Sequence, residues 1–205
     1  MNAFPRSVSG GCRAVAVVAV ALLATAGCNK KADNTTNYKS AINTYYSAHP
    51  SCLWSSPKKF PVQAGTSDTD KTSDYDALVD QGLLTRTTAE KKVFIVASKQ
   101  VNNYDLSDKG RSAWTADQQQ PGYGNFCYGH RSVSSIDSAS PNNGQVGATT
   151  LVDYRYTLSD VPSWASATET QNAYPQVKTD LAGPQSAQAT LTDTNNGWVL
   201  TSAGR

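Results

Sequence analysis

The sequence predicts an α+β protein, with an N-terminal, mainly helical part over residues 37–120 and an antiparallel sheet with a packed helix over 121–205, together one domain spanning 37–205. Three observations predict it. Apolar residues recur at helical spacing in "NYKSAINTYYSAH" and "SDYDALVDQGLLTR", where positions three and four apart share a face. They alternate at strand spacing in "ATTLVDYRYTL" and "SAQATLTDTNNGWVL", where every second residue faces one side. Two cysteines, Cys52 and Cys127, fall in different halves and would tie them together if oxidised.

The N-terminus reads as a leader. Arg6 and Arg13 precede an apolar run from Ala14 to Ala24, too short for the roughly 20 residues that span a bilayer but suited to a secretory signal over residues 1–27. It ends in Thr25-Ala26-Gly27-Cys28, which resembles the lipobox of bacterial lipoproteins and departs from it at Thr25, where Leu is usual. The resemblance implies cleavage before Cys28, acylation of that cysteine, a lipidated tether over 28–36 and permanent membrane attachment. Asn29 and Lys30 after the cysteine are similar to lipoproteins sorted to the outer membrane, which would place the domain in the periplasm. Loss of Arg6 and Arg13 takes the chain from 18 basic residues to 16 against 16 acidic ones. That neutral balance favours neither nucleic acid nor an anionic surface. With Cys12 lost in the leader and Cys28 acylated, Cys52 and Cys127 remain, and in an oxidising compartment they read as a disulfide.

In the first half, Tyr38, Ile42 and Tyr45 mark the inner face of a helix that Thr35 or Thr36 caps and Pro50 ends. Leu53, Trp54, Phe60 and Val62 anchor a turn-rich segment. A second helix starts at a Ser73 cap, turns Tyr75, Leu78 and Val79 inward, and stops at Gly82 in a left-handed C-cap. Leu83-Leu84 opens a strand, "KKVFIVASK" is a β-branched strand run, and Ser107 caps a short helix after Tyr104 and Leu106. The order helix, Gly82-Leu83-Leu84, two strands, Tyr104-x-Leu106-Ser107-x-x-Gly110-Arg111 resembles the recognition helix and wing of winged-helix proteins, over residues 72–115. The resemblance implies a helix set for the major groove, but residues 73–81 hold Asp74, Asp76 and Asp80 and no Lys or Arg. Those carboxylates would meet a polyanion, so nucleic acid is not the expected partner.

In the second half, "FCYGHRSV" places Phe126, Tyr128 and His130 on one face and Cys127, Gly129 and Arg131 on the other. "SIDSASPNNGQVG" reads as a polar loop. Val152, Tyr154, Tyr156 and Leu158 are the buried face of the next strand. A helix runs from Pro162 after an Asp160 cap, is broken at Pro175 and ends at Gly183. Asn195-Asn196-Gly197 turns the final hairpin.

Chemistry is sparse in the sequence. His49 sits at a helix end, His130 beside Arg131, and no Gly-x-Ser-x-Gly elbow, phosphate loop or dinucleotide fingerprint occurs. Asp68, Asp70, Asp74 and Asp76 lack the Gly and bidentate Glu of a calcium loop. No catalytic residue, metal or cofactor is therefore assigned. Tyr128, His130 and Arg131 combine a phenol, an imidazole and a guanidinium, and form the candidate ligand patch. The expected function is that of a non-catalytic binding or interaction module held at the envelope membrane by its lipid, with a protein, peptide or small molecule as partner. The alternative is a periplasmic hydrolase with a site near His130 or His49.

Overall fold

The computed structural model describes residues 31–94 and 97–204, so the leader and Cys28 lie outside the described residues. The protein is α+β. Strands β1 (Ser51–Cys52), β6 (Gly124–Ala139), β7 (Thr149–Ser159), β8 (Gln185–Thr194) and β9 (Gly197–Ala203) lie side by side in that order, and β5 (Trp114–Ala116) adds to β6. A second sheet has the order β2 (Val62–Gly65), β4 (Ala97–Leu106), β3 (Leu84–Phe94). All pairings are antiparallel.

Two apolar cores result. In the sheet core, helix α1 (Thr35–Ala48) packs Tyr38, Ala41, Ile42 and Tyr46 onto Val133, Val152, Tyr154, Leu191 and Trp198. Its cap is Asn34, whose side chain accepts from Asn37 N–H at 2.9 Å, so the helix begins inside the stretch read as tether. Tyr46 is the buried residue of the last turn, and Tyr45 is only half-buried. The helix on the sheet is thus the first among the described residues. The helix expected to cover the sheet, residues 162–183, is instead a 3-10 turn (Ser163–Ser166) and two short helices, α4 (Thr168–Ala173) and α5 (Pro175–Leu181). Pro175 starts α5 at a position where its missing N–H costs nothing. Asp160 does not cap this segment; Pro162 precedes the turn, and Asp160 adopts φ 55°.

The aromatic core lies beside the first. Trp164, Tyr174 and Val177 from that segment meet Leu53, Leu78, Leu83, Phe126 and Tyr128. Helix α2 (Thr69–Asp80) starts at Asp68, before the expected Ser73, and so includes Lys71. Gly82 has φ 70° and ends the helix as its lack of Cβ allows. "KKVFIVASK" is not one strand. Its described residues close a long hairpin between β3 and β4, paired from Leu84↔Leu106 out to Phe94↔Ala97, while Ile95 and Val96 lie outside the described residues. Helix α3 (Asp108–Ala113) follows β4, and the Ser107 hydroxyl accepts from Gly110 N–H at 2.8 Å, as the cap reading expects. Tyr104 OH donates to Asp76 Oδ1 at 2.9 Å, and Arg86 pairs with the same oxygen at 2.8 Å, tying α2 to the hairpin.

Strand β6 links the two cores. It continues to Ala139, through residues read as loop. Pairing with β7 replaces side-chain hydrophobicity there: Arg155 Nε meets Asp137 Oδ2 at 2.9 Å and Ser138 donates to Asp153 Oδ2 at 2.6 Å across the strands. The Sγ atoms of Cys52 and Cys127 are 2.06 Å apart, at bonding distance, where β1 pairs β6. Leu158 packs against both cores.

Candidate functional site

Alternation along β6 separates the expected patch. Phe126 and Tyr128 turn into the aromatic core, whereas Arg131 and Val133 turn toward α1. Tyr128 is buried and donates to Asp180 Oδ2 at 2.7 Å. Burial, then that carboxylate, pushes its pKa far above the ordinary phenol value. It is a fixed core tyrosine. His130 and Arg131 remain together at the surface.

Arg131 is held by rings. Its guanidinium centre lies 4.5 Å from the Tyr156 ring and 5.0 Å from the Tyr46 ring, and such contacts strengthen as water is excluded. Nη1 donates to Tyr46 OH at 3.1 Å, and Tyr154 OH donates to the same oxygen at 3.1 Å. Burial works against its charge, but the phenols of Tyr46, Tyr156 and Tyr154 outweigh it, so its pKa is raised. Burial foremost raises the Tyr154 and Tyr156 phenols as well, keeping them neutral beside the cation. Among the described residues no carboxylate lies within ion-pair distance of Arg131.

Two shallow clefts open on this guanidinium. One, of about 310 Å³, is lined by Asn43, Ser47, His130, Arg131, Ser159 and Asp160. In it His130 Nδ1 is 3.8 Å from Asp160 Oδ2, and the Ser159 hydroxyl contacts Asp160 Oδ2 at 3.3 Å and the His130 carbonyl at 3.4 Å. The left-handed backbone of Asp160, which Asp tolerates better than most residues, turns the chain at this point. Asn43 Oδ1 accepts from Val133 N–H at 2.8 Å and fixes α1 to the rim. The other cleft, also about 310 Å³, lies past the end of α1 between Tyr45, His49, Arg131 and Gly204. There His49 stacks on Tyr45 at 4.0 Å and donates from Nδ1 to the Tyr45 carbonyl at 2.7 Å, as a helix-ending histidine should.

The acidic run does not converge. Asp68 pairs with Lys71 at 2.9 Å and Asp76 with Arg86 at 2.8 Å. Tyr46, Tyr154 and Asp160 were not expected at the site. Tyr46 lies four residues beyond Ile42 and eight beyond Tyr38, so the helical period contains it; Asp160 carries no such signal. No family model, curated protein or solved structure matches this chain.

Proposed function

We propose that the protein is a lipoprotein of the bacterial cell envelope, anchored through Cys28 in the outer membrane with its domain in the periplasm, and that it serves as a non-catalytic binding module. The observation that carries the binding role is Arg131, a charged guanidinium clamped between two tyrosine rings and shared by two polar clefts. Its side chain is already ordered, so little rotamer entropy is lost when an anionic group docks. A carboxylate or phosphate group on a peptide or small molecule is the matching chemistry.

Acetate and inorganic phosphate are the probes. Each should raise the melting temperature of the wild-type protein, and Arg131→Met should remove that increment whatever its own melting temperature. An equal increment in the variant would refute the site. For the anchor, Cys28→Ala should release the protein from membranes with loss of lipid label. The hydrolase reading has one observation in its favour, the approach of Asp160 to His130. Hydrolysis of p-nitrophenyl esters that disappears in His130→Ala and persists in His49→Ala would move the assignment there.

A further inference from the structure

The sheet β2–β4–β3 ends on an open strand. Strand β3 pairs β4 along one side, from Leu84 to Phe94, and among the described residues no strand pairs its other side. Every residue from Thr85 to Lys92 is exposed. An open edge presents a row of N–H and C=O groups that can template another strand, and proteins blunt such edges with Pro, a bulge or a Lys. This stretch reads Thr-Arg-Thr-Thr-Ala-Glu-Lys-Lys, with β-branched residues and no Pro or Gly. Its pairing with β4 runs without a register shift from Leu84 to Lys92. Lys91 does not guard the edge, because it reaches across β4 and its Nζ donates to Gln63 Oε1 on β2 at 2.8 Å. That leaves Lys92 as the edge lysine, at the far end of the run.

The order of charges fits one occupant, a second copy of the same strand. Two copies related by a two-fold axis normal to the sheet run antiparallel, and opposed side chains share a face only when the axis passes at a residue. With the axis at Thr88, that residue meets its own copy. Arg86 then meets Glu90 of the second copy and Glu90 meets its Arg86, so two opposite-charge pairs form at once. Lys91 and Lys92 fall opposite Thr85 and Leu84, and no like charges are opposed. Other registers lack this match. An axis at Ala89 opposes Arg86 to Lys92, and one at Thr87 gives no charge pair. An axis at Arg86, Glu90, Lys91 or Lys92 sets a charge against itself. Arg86 is anchored without being used up: it lies 2.8 Å from Asp76 Oδ1, its side chain is 44% exposed, and a guanidinium has five N–H donors. Glu90 accepts from the Ser98 hydroxyl on β4. Both groups are held by their own chain, so less side-chain entropy is lost when they pair.

We infer that β3 is a self-association edge, which joins two copies of the chain antiparallel about Thr88 and merges their three-stranded sheets into one. The contact is a strand edge with two ion pairs rather than a broad apolar face, so the dimer is weak and reversible. The inference is independent of the Arg131 clefts and of the lipid anchor.

Cysteine trapping in the full chain tests it. Thr88→Cys puts a thiol on the axis, opposite its own copy, and mild oxidation should join two copies, seen as a doubled mass on a non-reducing gel. Lys92→Cys is equally exposed but faces Leu84 of the second copy, so it should stay single. In the Thr88→Cys background, Glu90→Lys makes both charge pairs repulsive and should cut the joined fraction about tenfold or more. Glu90→Asp keeps the charge and should retain most of it. A Thr88→Cys thiol that reacts with maleimide yet joins no second copy overturns the inference. Joining to a different protein instead overturns the occupant. Equal joining at Lys92→Cys, or joining that ignores Glu90→Lys, marks random collision and overturns the register.

Discussion

The two cores are built by opposite means. In the sheet core one amphipathic helix covers alternating faces of consecutive strands, and its residues come from regular elements. In the aromatic core, rings converge from short segments far apart in the chain. Trp54 alone lies 6.0–6.4 Å from Phe60, Trp114, Phe126 and Tyr174. The first core rests on periodicity, while the second depends on long-range ring contacts and on the Cys52–Cys127 link at its edge. An irregular core of this kind needs such a link more, because its loops carry the entropy that closure must remove.

The largest effect should come from the centre of the aromatic core. Phe126→Ala should cost about 4 kcal/mol, against about 3 kcal/mol for Leu191→Ala in the sheet core. Trp198 reports on one core and Trp54, Trp114 and Trp164 on the other. Denaturant melts followed through single-tryptophan variants should coincide; two separate transitions would break the view that Leu158 and β6 couple the cores. Next is the double replacement Cys52→Ala/Cys127→Ala. With a sequence separation of 75 residues, it should lower stability by about 3 kcal/mol in equilibrium unfolding. An unchanged midpoint would show that the loop is held by its rings alone.

A pH effect distinguishes the cores less and tests both. Tyr128 and Tyr174 in one core and Tyr154 and Tyr156 in the other have raised pKa values, foremost through burial. A raised folded pKa means full stability below the unfolded value of 10.0 and loss as pH climbs above it. Each such tyrosine should remove about 1.4 kcal/mol per pH unit in that range. Absorbance at alkaline pH should show these phenols ionising only together with unfolding. Ser107→Ala should have the smallest effect, about 1 kcal/mol from the lost cap, measured as a shift in denaturation midpoint.

That contrast also explains what could be read from the residues alone. The α+β class, the alternation at Val152, Tyr154 and Tyr156, the Asn195-Asn196 turn and the Gly82 stop are local signals, and each is present in the fold. The glycine of the wing-like run, Gly110, is a local signal too: a Cβ there would lie 1.8 Å from the Leu83 carbonyl oxygen. Partner choice is not local. Nothing in residues 162–181 states that they cover Leu53 and Phe126 rather than the strands before and after them in sequence. The continuation of β6 through Ser and Asp carries no local signal, because its stabilising partners, Arg155 and Asp153, lie on another strand. At the site, the proximity of His130 to Arg131 was legible from sequence neighbourhood, whereas the strand period that hides Tyr128 in a different core had to be combined with knowledge of what covers each face.

The position of α1 on β6, β8 and β9 has a consequence for how the chain matures. Helix Thr35–Ala48 acquires its full buried surface only when Gly197–Ala203 has joined β6, β7 and β8 beneath it. Contacts across such a separation form slowly, since the loop entropy is spent before they contribute. Until then Tyr38 lacks the Trp198 ring that it meets edge-on. A chain that stops before residue 197 leaves part of this helix face uncovered, so the sheet core closes only once that strand has been made.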